Sequence, residues 1–184
     1  MTLVFLLEEL SMKAFLEGLL PRVLPEGVGY TLVPHEGKSD LEQSIPRKLR
    51  AWRTPDTRFV VVRDQDSGSC VEIKQRLLAL CAEAGRPDAM VRIACRELEA
   101  WFLGDLAAVE ATFGATGPGA KQRRRKFSDP DHLGSPSREL HALVPGYGKV
   151  AGAREMGPAI DFESCRSHSF RVFLDGVRRL AGAT

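Results

Sequence analysis

The sequence predicts an α/β fold, in which a central, mostly parallel four-stranded sheet has helices on both faces. Four short apolar runs alternate along the chain with longer segments whose apolar residues recur at helical spacing. Such alternation is typical of parallel sheets with right-handed connections, which form three layers. The third run is apolar at consecutive positions, as expected for a strand that is buried on both faces.

The first half of the chain contains two strand–helix pairs. The first strand covers Leu3–Leu7 and ends at an acid, Glu8. Ser11 is the expected N-cap of the next helix, since its hydroxyl can accept a backbone N–H. The apolar face of that helix comprises Ala14, Phe15, Leu19, Leu20 and Val23. A second strand at Tyr30–Val33 leads to a second helix that contains Pro46, a residue that is unfavourable inside helices. One face of this helix comprises Leu41, Ile45, Leu49 and Trp52.

The third strand ends at two acids, and the chemistry is expected there. Residues 58–63 are followed by Asp64, Gln65 and Asp66. While the chain stays extended, Asp64 and Asp66 leave the same face of the strand and converge. Two like charges at about 4 Å repel by about 4 kcal/mol at an effective dielectric near 20, so a positive group is expected between them. A hard divalent cation, Mg²⁺ or Mn²⁺, prefers such oxygen ligands. The alternative to a metal site is that Asp64 and Asp66 belong to an ordinary polar turn that leads to a helix N-cap.

Further acids are expected at the same edge of the sheet. The third helix is predicted over Val71–Glu83 and the fourth strand over Met90–Cys95. The buried face of the third helix is expected to comprise Val71, Leu77, Leu78 and Cys81. A fourth helix carries the apolar stripe Leu98, Trp101, Phe102, Leu106, Val109 and Phe113. If the first and third strands are neighbours, Glu8 joins the Asp pair, and the start of this helix adds Glu97 or Glu99. Alternatively, Glu97 and Glu99 do not bind metal and only stabilise the positive N-terminus of the fourth helix.

A basic segment follows the predicted α/β core. Residues 114–135 have no clear periodicity and are expected to form a long functional or mobile loop. The loop contains five cations in six positions: Lys121, Arg123, Arg124, Arg125 and Lys126. They either bind nucleic-acid phosphates or form a solvated charged surface. A helix at 137–144, a turn that presents Lys149 and a last helix capped by Ser169 complete the chain. We expect a core over 1–113 and a helical extension over 114–184 packed on it as a single domain.

Composition restricts the functional class only weakly. A net charge of +2 with 43% hydrophobic residues argues neither for nor against nucleic-acid binding. The four cysteines lack the spacing of a metal finger and are expected to be reduced and mostly buried, which suits a cytoplasmic protein. No stretch approaches the roughly 18 apolar residues of a membrane span, so no membrane contact is expected. The N-terminal apolar run is interpreted as a strand and not as a signal peptide.

These residues, taken together, resemble a Toprim domain, the catalytic module of topoisomerases, primases and the overcoming-lysogenisation-defect (OLD) nucleases. More closely, the chain resembles a small Toprim-like family catalogued as domain of unknown function 4276. The similar blocks are His35–Leu41, Asp64–Asp66, Arg96–Trp101 and Ser167–Phe170. The resemblance extends over nearly the whole chain and implies a Toprim-like three-layer sandwich.

The resemblance also implies roles for individual residues. Glu8 stands where Toprim domains have their first-strand glutamate, and Asp64 and Asp66 stand for their metal-binding pair. Glu97 and Glu99 resemble the motif that OLD-type nucleases use for a second metal, and Lys149 resembles their late lysine. Two positions depart from the pattern. Glu9 replaces the usual glycine, and Met12 replaces an acid that is frequent in OLD-type nucleases.

The expected function is Mg²⁺- or Mn²⁺-dependent hydrolysis of phosphodiester bonds in DNA or RNA, in a phage-defence or DNA-processing system. Glu8, Asp64, Asp66 and Glu99 would hold metal, while Lys149 or Lys38 would neutralise charge in the transition state. His35 is either a general base or a structural turn residue. The alternative is a noncatalytic module that binds nucleic acid or a separately encoded ATPase. A phosphotransferase or phosphatase is a third reading, although no glycine-rich loop follows the first strand.

Overall fold

The computed structural model describes residues 1–182 of the 184-residue chain. Four strands form one sheet: β1 (Thr2–Leu7), β2 (Gly29–Pro34), β3 (Thr57–Asp64) and β4 (Met90–Ala94). Their order is β2-β1-β3-β4, and every pairing is parallel. The connecting helices are α1 (Leu10–Val23), α2 (Lys38–Ala51) and α3 (Cys70–Glu83). The predicted α/β class and the predicted adjacency of the first and third strands are therefore confirmed.

The sheet separates two hydrophobic cores. Side chains alternate along a strand, so Phe5 and Val60 face α1, whereas Leu6 and Val61 face α2 and α3. Right-handed crossovers explain this division, because the chain winds from β1 towards β2 and then back towards β3 and β4. The winding reverses between β1 and β3. The carboxyl ends of such a strand pair are where open α/β sheets bind their ligands.

The second half of the chain is helical and completes the layer that α1 begins. Its helices are α4 (Glu99–Leu103), α5 (Leu106–Phe113), α6 (Pro118–Lys121), α7 (Pro136–Leu143), α8 (Lys149–Ala159) and α9 (His168–Ala181). Phe173 of α9 packs on Phe5 with ring centroids 6.5 Å apart, and Phe170 packs on Phe15 at 6.1 Å. Residues before and after position 113 therefore contribute to one core.

Each core contains one tryptophan. Trp101 is 1% exposed, stacks on Phe173 and donates its indole N–H to Ser169 Oγ at 2.9 Å. Trp52 packs edge-on against Phe59 in the core under α2 and α3. Within residues 1–182 there is no helix with both the length and the apolar character needed to cross a membrane.

Three local predictions were wrong. Helix α1 begins one residue before Ser11, and Ser11 instead donates its hydroxyl to Glu9. The N-cap of α9 is Ser167, whose hydroxyl accepts the N–H of Phe170. On α3, Val71 and Leu78 are exposed, and Ile73 lies in the core with Leu77 and Cys81. For α1 and α9 the N-cap lies two residues before the predicted serine, whereas for α3 the buried face was assigned to the wrong residues.

The predicted fourth helix is two helices, and the predicted loop is largely ordered. Asp105 has a non-helical φ of −136° and accepts the N–H of Ala108, so α5 starts as a separate helix after Gly104. In the basic segment, Phe127 is buried, and Gln122 bonds to Leu106 N–H and to the Leu103 carbonyl. These contacts attach the segment to the carboxyl end of α4.

Candidate functional site

Glu8 and Asp64 meet at the carboxyl ends of β1 and β3. The N–H of Glu8 continues the pairing of β1 with β3 by donating to the Val62 carbonyl at 3.2 Å. Its carboxylate then turns towards β3, where Oε2 accepts the N–H of Asp64 at 3.0 Å. Both side chains are buried. The predicted meeting of these two acids is thus found in the structure.

Glu99 completes what we call the acid cluster: Glu8, Asp64 and Glu99. It is the first residue of α4 and is 1% exposed. Its Oε1 accepts a hydrogen bond from the hydroxyl of Tyr147 at 3.3 Å. Burial raises the pKa of Asp64 well above its ordinary value, and the charges of Glu8 and Glu99 raise it further. The three acids therefore share one electrostatic environment, although they come from three separate elements.

Two oxygens of the cluster are left without compensation. Among residues 1–182, neither Asp64 Oδ1 nor Glu99 Oε2 has a hydrogen-bond partner, and both atoms are buried. We refer to them as the two open oxygens. Burial also raises the pKa of Glu8 and of Glu99, in each case as the largest effect. A buried ionised carboxylate is stable only with hydrogen bonds or a cation, so the cluster favours binding either protons or a positive ion.

Lys149 provides the nearby positive charge. It begins α8, and its Nζ lies 2.6 Å from Glu9 Oε1, which also accepts the Ser11 hydroxyl at 2.6 Å. Burial by itself lowers the pKa of Lys149, but the hydrogen bond to Glu9 and the charges of Glu9, Glu99 and Asp64 outweigh burial and raise it. Lys149 is therefore held protonated beside the acid cluster. Glu9, the departure from the Toprim pattern, is its direct partner.

Asp66 does not converge with Asp64 as predicted. The expectation required an extended chain, but Asp66 has φ 55°, in the left-handed region, so the chain turns away after β3. The Asp66 carboxylate is 41% exposed and lies 3.3 Å from Lys38 Nζ. Its backbone N–H donates to the carbonyl of Arg96, a second left-handed residue, at 2.8 Å. Burial is the main cause of the raised pKa of Glu8, and the negative charge of Asp66 raises this pKa further.

Glu97 and His35 have structural contacts. Glu97 Oε2 accepts the N–H of Ser137 at 2.7 Å and so stabilises the start of α7. His35 Nδ1 lies 2.8 Å from the Leu7 carbonyl, and its Nε2 lies 2.9 Å from Lys48 Nζ. Lysine is a donor only, so Nδ1 carries the ring proton and Nε2 accepts. Burial lowers the pKa of His35, which is consistent with this neutral structural state.

Two functional candidates escaped the sequence reasoning. Arg63, the residue before Asp64, is buried and lies 3.7 Å from Glu8 Oε2 through Nε and 2.5 Å from Glu42 Oε1 through Nη1. Tyr147 holds Glu99, and burial raises its pKa. The signal for Arg63 was its position in the strand directly before Asp64. The signal for Tyr147 was its position in the turn before Lys149.

The basic segment is close in sequence to α4 but lies at the opposite end of that helix from Glu99. Gln122 binds the carboxyl end of α4, whereas Glu99 is at its start. Arg123, Arg124 and Arg125 are exposed, Lys121 is half-buried, and Lys126 pairs with Glu139 at 2.6 Å. The geometry therefore leaves three arginines open to solvent at the end of α4 that is remote from Glu99.

A divalent cation fits part of this donor set. In the described part of the chain, no group of three or more Asp, Glu, His or Cys side chains is arranged as a metal site. The two open oxygens nevertheless match the preference of Mg²⁺ for one or two carboxylates together with water or substrate phosphate. Asp64 and Glu99 are thus the candidate ligands, with Glu8 beside them. Asp66 and Glu97 point to other partners.

The fold and the site define an α/β protein with an acid cluster at the switch point of a parallel sheet. The chain belongs to the family described as a domain of unknown function (DUF4276), whose model matches residues 7–178. The matched span includes the acid cluster and Lys149. No curated protein and no solved structure matches the chain.

Proposed function

We propose that this protein is a Toprim-related nuclease that uses Mg²⁺ or Mn²⁺ to hydrolyse phosphodiester bonds of DNA or RNA. The two open oxygens are the observation that most directly supports this proposal. They belong to acids whose pKa is raised by burial, and a divalent cation compensates such charges better than water does. The four free thiols fit a reducing cytoplasm, and we propose that location for the protein.

The residues around the open oxygens have separable tasks in this proposal. A divalent cation held by Asp64 and Glu99 would supply Lewis-acid activation of water and would stabilise charge on the leaving oxygen. Glu8 orients the backbone of Asp64, and Tyr147 orients the carboxylate of Glu99. Lys149 adds a fixed positive charge where negative charge develops on the phosphoryl oxygens. Preorganised charge of this kind acts strongly because the site is largely shielded from water.

A noncatalytic module is the second candidate, and the ion pairs favour it. Glu8 lies beside Arg63, Glu9 beside Lys149, and Asp66 beside Lys38. Three acids at the carboxyl edge of the sheet are thus opposed by cations of the same chain. In this reading the acids have a structural role, and the protein binds nucleic acid or a separately encoded ATPase, for example in phage defence.

Thermal unfolding with Mn²⁺ separates the two functions. An ion that binds only the folded state stabilises it by about 2.7 kcal/mol at about 100 times its Kd. For a domain of this size we expect the Tm to rise by about 5–10 °C. The rise should disappear in Asp64→Asn, which replaces a charged carboxylate with a neutral amide. Asp88→Asn is the matched control, because Asp88 is exposed and precedes β4 at the opposite edge of the sheet.

Cleavage completes the test. Wild type and Asp88→Asn should cleave plasmid or single-stranded substrates with Mg²⁺ or Mn²⁺, whereas Asp64→Asn and Glu99→Gln should lose at least about 100-fold in rate, as for groups that stabilise a transition state. Equal melting of wild type with and without Mn²⁺, together with no cleavage of either substrate, would reject the nuclease in favour of the binding module.

A further inference from the structure

A second cavity opens next to the acid cluster, on the other side of β3. It lies between the starts of α2 and α3 and has a volume of about 350 Å³. We call it the α2/α3 cleft, and its lining includes Lys38, Ser39, Arg63, Asp66, Ser69 and Arg76. Both helices have 14 residues, and their N-terminal residues border the cavity. The first amides of a helix have no intrahelical acceptor, so two partial positive charges face this space.

A glycine lies in each of the two loops that lead into α2 and α3. Gly37, the N-cap of α2, has φ 95° and ψ −179°, a conformation that other residues rarely adopt. At Gly68, a Cβ would lie 2.9 Å from the Ile73 side chain. A larger residue would be strained at position 37 and would press on Ile73 at position 68, and the backbone of Gly68 itself borders the cleft.

Arg63 places a buried positive charge beneath the cleft. Its side chain lines the cavity and is only 7% exposed, and its Nε lacks a hydrogen-bond partner within residues 1–182. An arginine stays charged when buried, so the protein holds a permanent cation beneath the cleft, with Nη1 bound to Glu42 and Nε turned towards Glu8. The Nε atom is 3.7 Å from Glu8 Oε2, which connects the cleft to the acid cluster.

The other two cations of the cleft are loosely held by carboxylates. Lys38 is 56% exposed and lies 3.3 Å from Asp66, and Arg76 is 64% exposed and lies 3.8 Å from Glu42. Glu72 also lines the cavity, so the side chains are balanced in charge and the helix N-termini tip the balance towards an anion. Exposed pairs of this kind contribute little, so both cations can turn to a phosphate at small cost.

We propose that the α2/α3 cleft is a phosphate-binding subsite for a polynucleotide. This inference rests on the proposed function, since it assigns the cleft to the same substrate. The phosphate is recognised by Lys38, Arg76 and the amides at the starts of α2 and α3, with Arg63 beneath them. It is either a backbone diester next to the scissile bond or the terminal monoester of a strand. Both present the same charged oxygens, and experiment distinguishes them.

The test measures binding without metal, on the full chain in EDTA. Inorganic phosphate should stabilise wild type in thermal unfolding and bind measurably by calorimetry. The double variant Lys38→Gln/Arg76→Gln should bind about 100-fold more weakly, because each charge-assisted bond accounts for about tenfold. Arg47→Gln/Lys74→Gln is the control, since these exposed cations lie on the same helices outside the lining. Equal phosphate affinity in the two double variants overturns the proposal.

Oligothymidylate with and without a 5′-phosphate identifies the source of the anion. A large gain in affinity from the 5′-phosphate assigns the cleft to strand ends, and equal affinity assigns it to the backbone. The results also distinguish whether the phosphate-subsite proposal or the nuclease proposal is wrong. Loss of phosphate binding in Lys38→Gln/Arg76→Gln, with no cleavage by wild type, supports the subsite alone. Cleavage with an unchanged KM in that variant supports the nuclease alone.

Discussion

At the scale of single residues, Asp64 shows how this fold departs from maximal stability. It is 5% exposed at the end of a central strand, and its Oδ1 is one of the two open oxygens. Burial and the charges of Glu8 and Glu99 raise its pKa. Natural proteins accept such unfavourable burial mainly where function requires it. The acid cluster is therefore better explained by a ligand or a proton than by packing.

The raised pKa values predict a specific pH dependence of stability. In the folded protein Asp64, Glu8 and Glu99 bind protons more tightly than in the unfolded chain, where carboxyls titrate near pH 4. Stability in EDTA should therefore fall as the pH rises above about 4 and through the raised pKa values. Melting temperatures between about pH 5 and pH 8 should decline less steeply in Asp64→Asn than in wild type. Parallel declines in the two proteins would contradict this assignment.

Glu9 stands where the resemblance to Toprim domains predicted a glycine, and the structure explains why a side chain fits there. A glycine was expected after the first-strand glutamate, yet Glu9 fits there because it is the N-cap residue of α1, in an extended conformation with φ −151°. Its carboxylate accepts from both Lys149 and Ser11. The Glu9 side chain therefore does not disturb the turn, and it positions Lys149 beside the acid cluster.

At the scale of elements, the close crossing of α1 and α8 positions Lys149. Gly18 of α1 lies against Pro158 of α8, where a Cβ would come within 2.5 Å of the proline Cδ. Arg22 donates to the carbonyls of Gly157 and Ile160 at the end of α8. Since Glu9 and Lys149 stand at the starts of these two helices, the crossing determines their separation.

Gly157→Ala should weaken this crossing. A Cβ at position 157 would overlap the Phe15 carbonyl oxygen and lie 3.1 Å from Gly18 Cα, so backbone would have to move. Overpacking of this kind costs about 1–3 kcal/mol, or a Tm lower by about 3–10 °C for a domain of this size. Gly29→Ala is the control, because its Cβ would meet only ordinary contacts at 3.5 Å or more. Equal Tm values for the two variants would show that the helices can separate without loss.

Strands and helices whose apolar residues recur at regular spacing were predictable from the sequence. Elements that depend on tertiary contacts were not. All four strands and the first three helices follow from apolar spacing. Helix α8 was missed because Gly152, Gly157 and Pro158 are poor helix formers, and close packing on α1 compensates for them. The break at Asp105 was missed because the apolar stripe continues across it.

The candidate site was predictable in part for the same reason. Parallel pairing of β1 and β3 brings Glu8 and Asp64 together, as their places at strand ends indicated. The left-handed turn at Asp66 has only a weak signal in residue type, since Asp adopts this conformation more often than most non-glycine residues but still rarely. Tyr147 and Arg63 gained their roles only from contacts between distant segments.

At the scale of the whole molecule, charge is unevenly distributed despite a net value of only +2. Acids gather at the carboxyl edge of the sheet, while Arg123, Arg124 and Arg125 are exposed near the far end of α4. A polynucleotide is attracted by the arginines and repelled by the acids unless cations compensate them. Binding strength and cleavage are therefore expected to depend on different groups.

Neutralising the three arginines should change the salt dependence of nucleic-acid binding. Each lost phosphate contact reduces the slope of log K against log salt by about 0.9 for duplex DNA and about 0.7 for single strands. Arg123→Gln/Arg124→Gln/Arg125→Gln should therefore flatten the slope by about 2–3, because all three residues are exposed. Fluorescence anisotropy over a salt series measures this slope. An unchanged slope would remove the basic segment from nucleic-acid binding.

The division of the molecule into two cores also gives it two natural optical probes. Trp101 emits from the core shared by α1 and α9, and Trp52 emits from the core beneath α2 and α3. Replacing either indole with phenylalanine leaves a single fluorophore that reports on one face of the sheet. Loosening of the core on the α2/α3 face and loosening of the core on the α1/α9 face are thus distinguishable in solution without any attached dye.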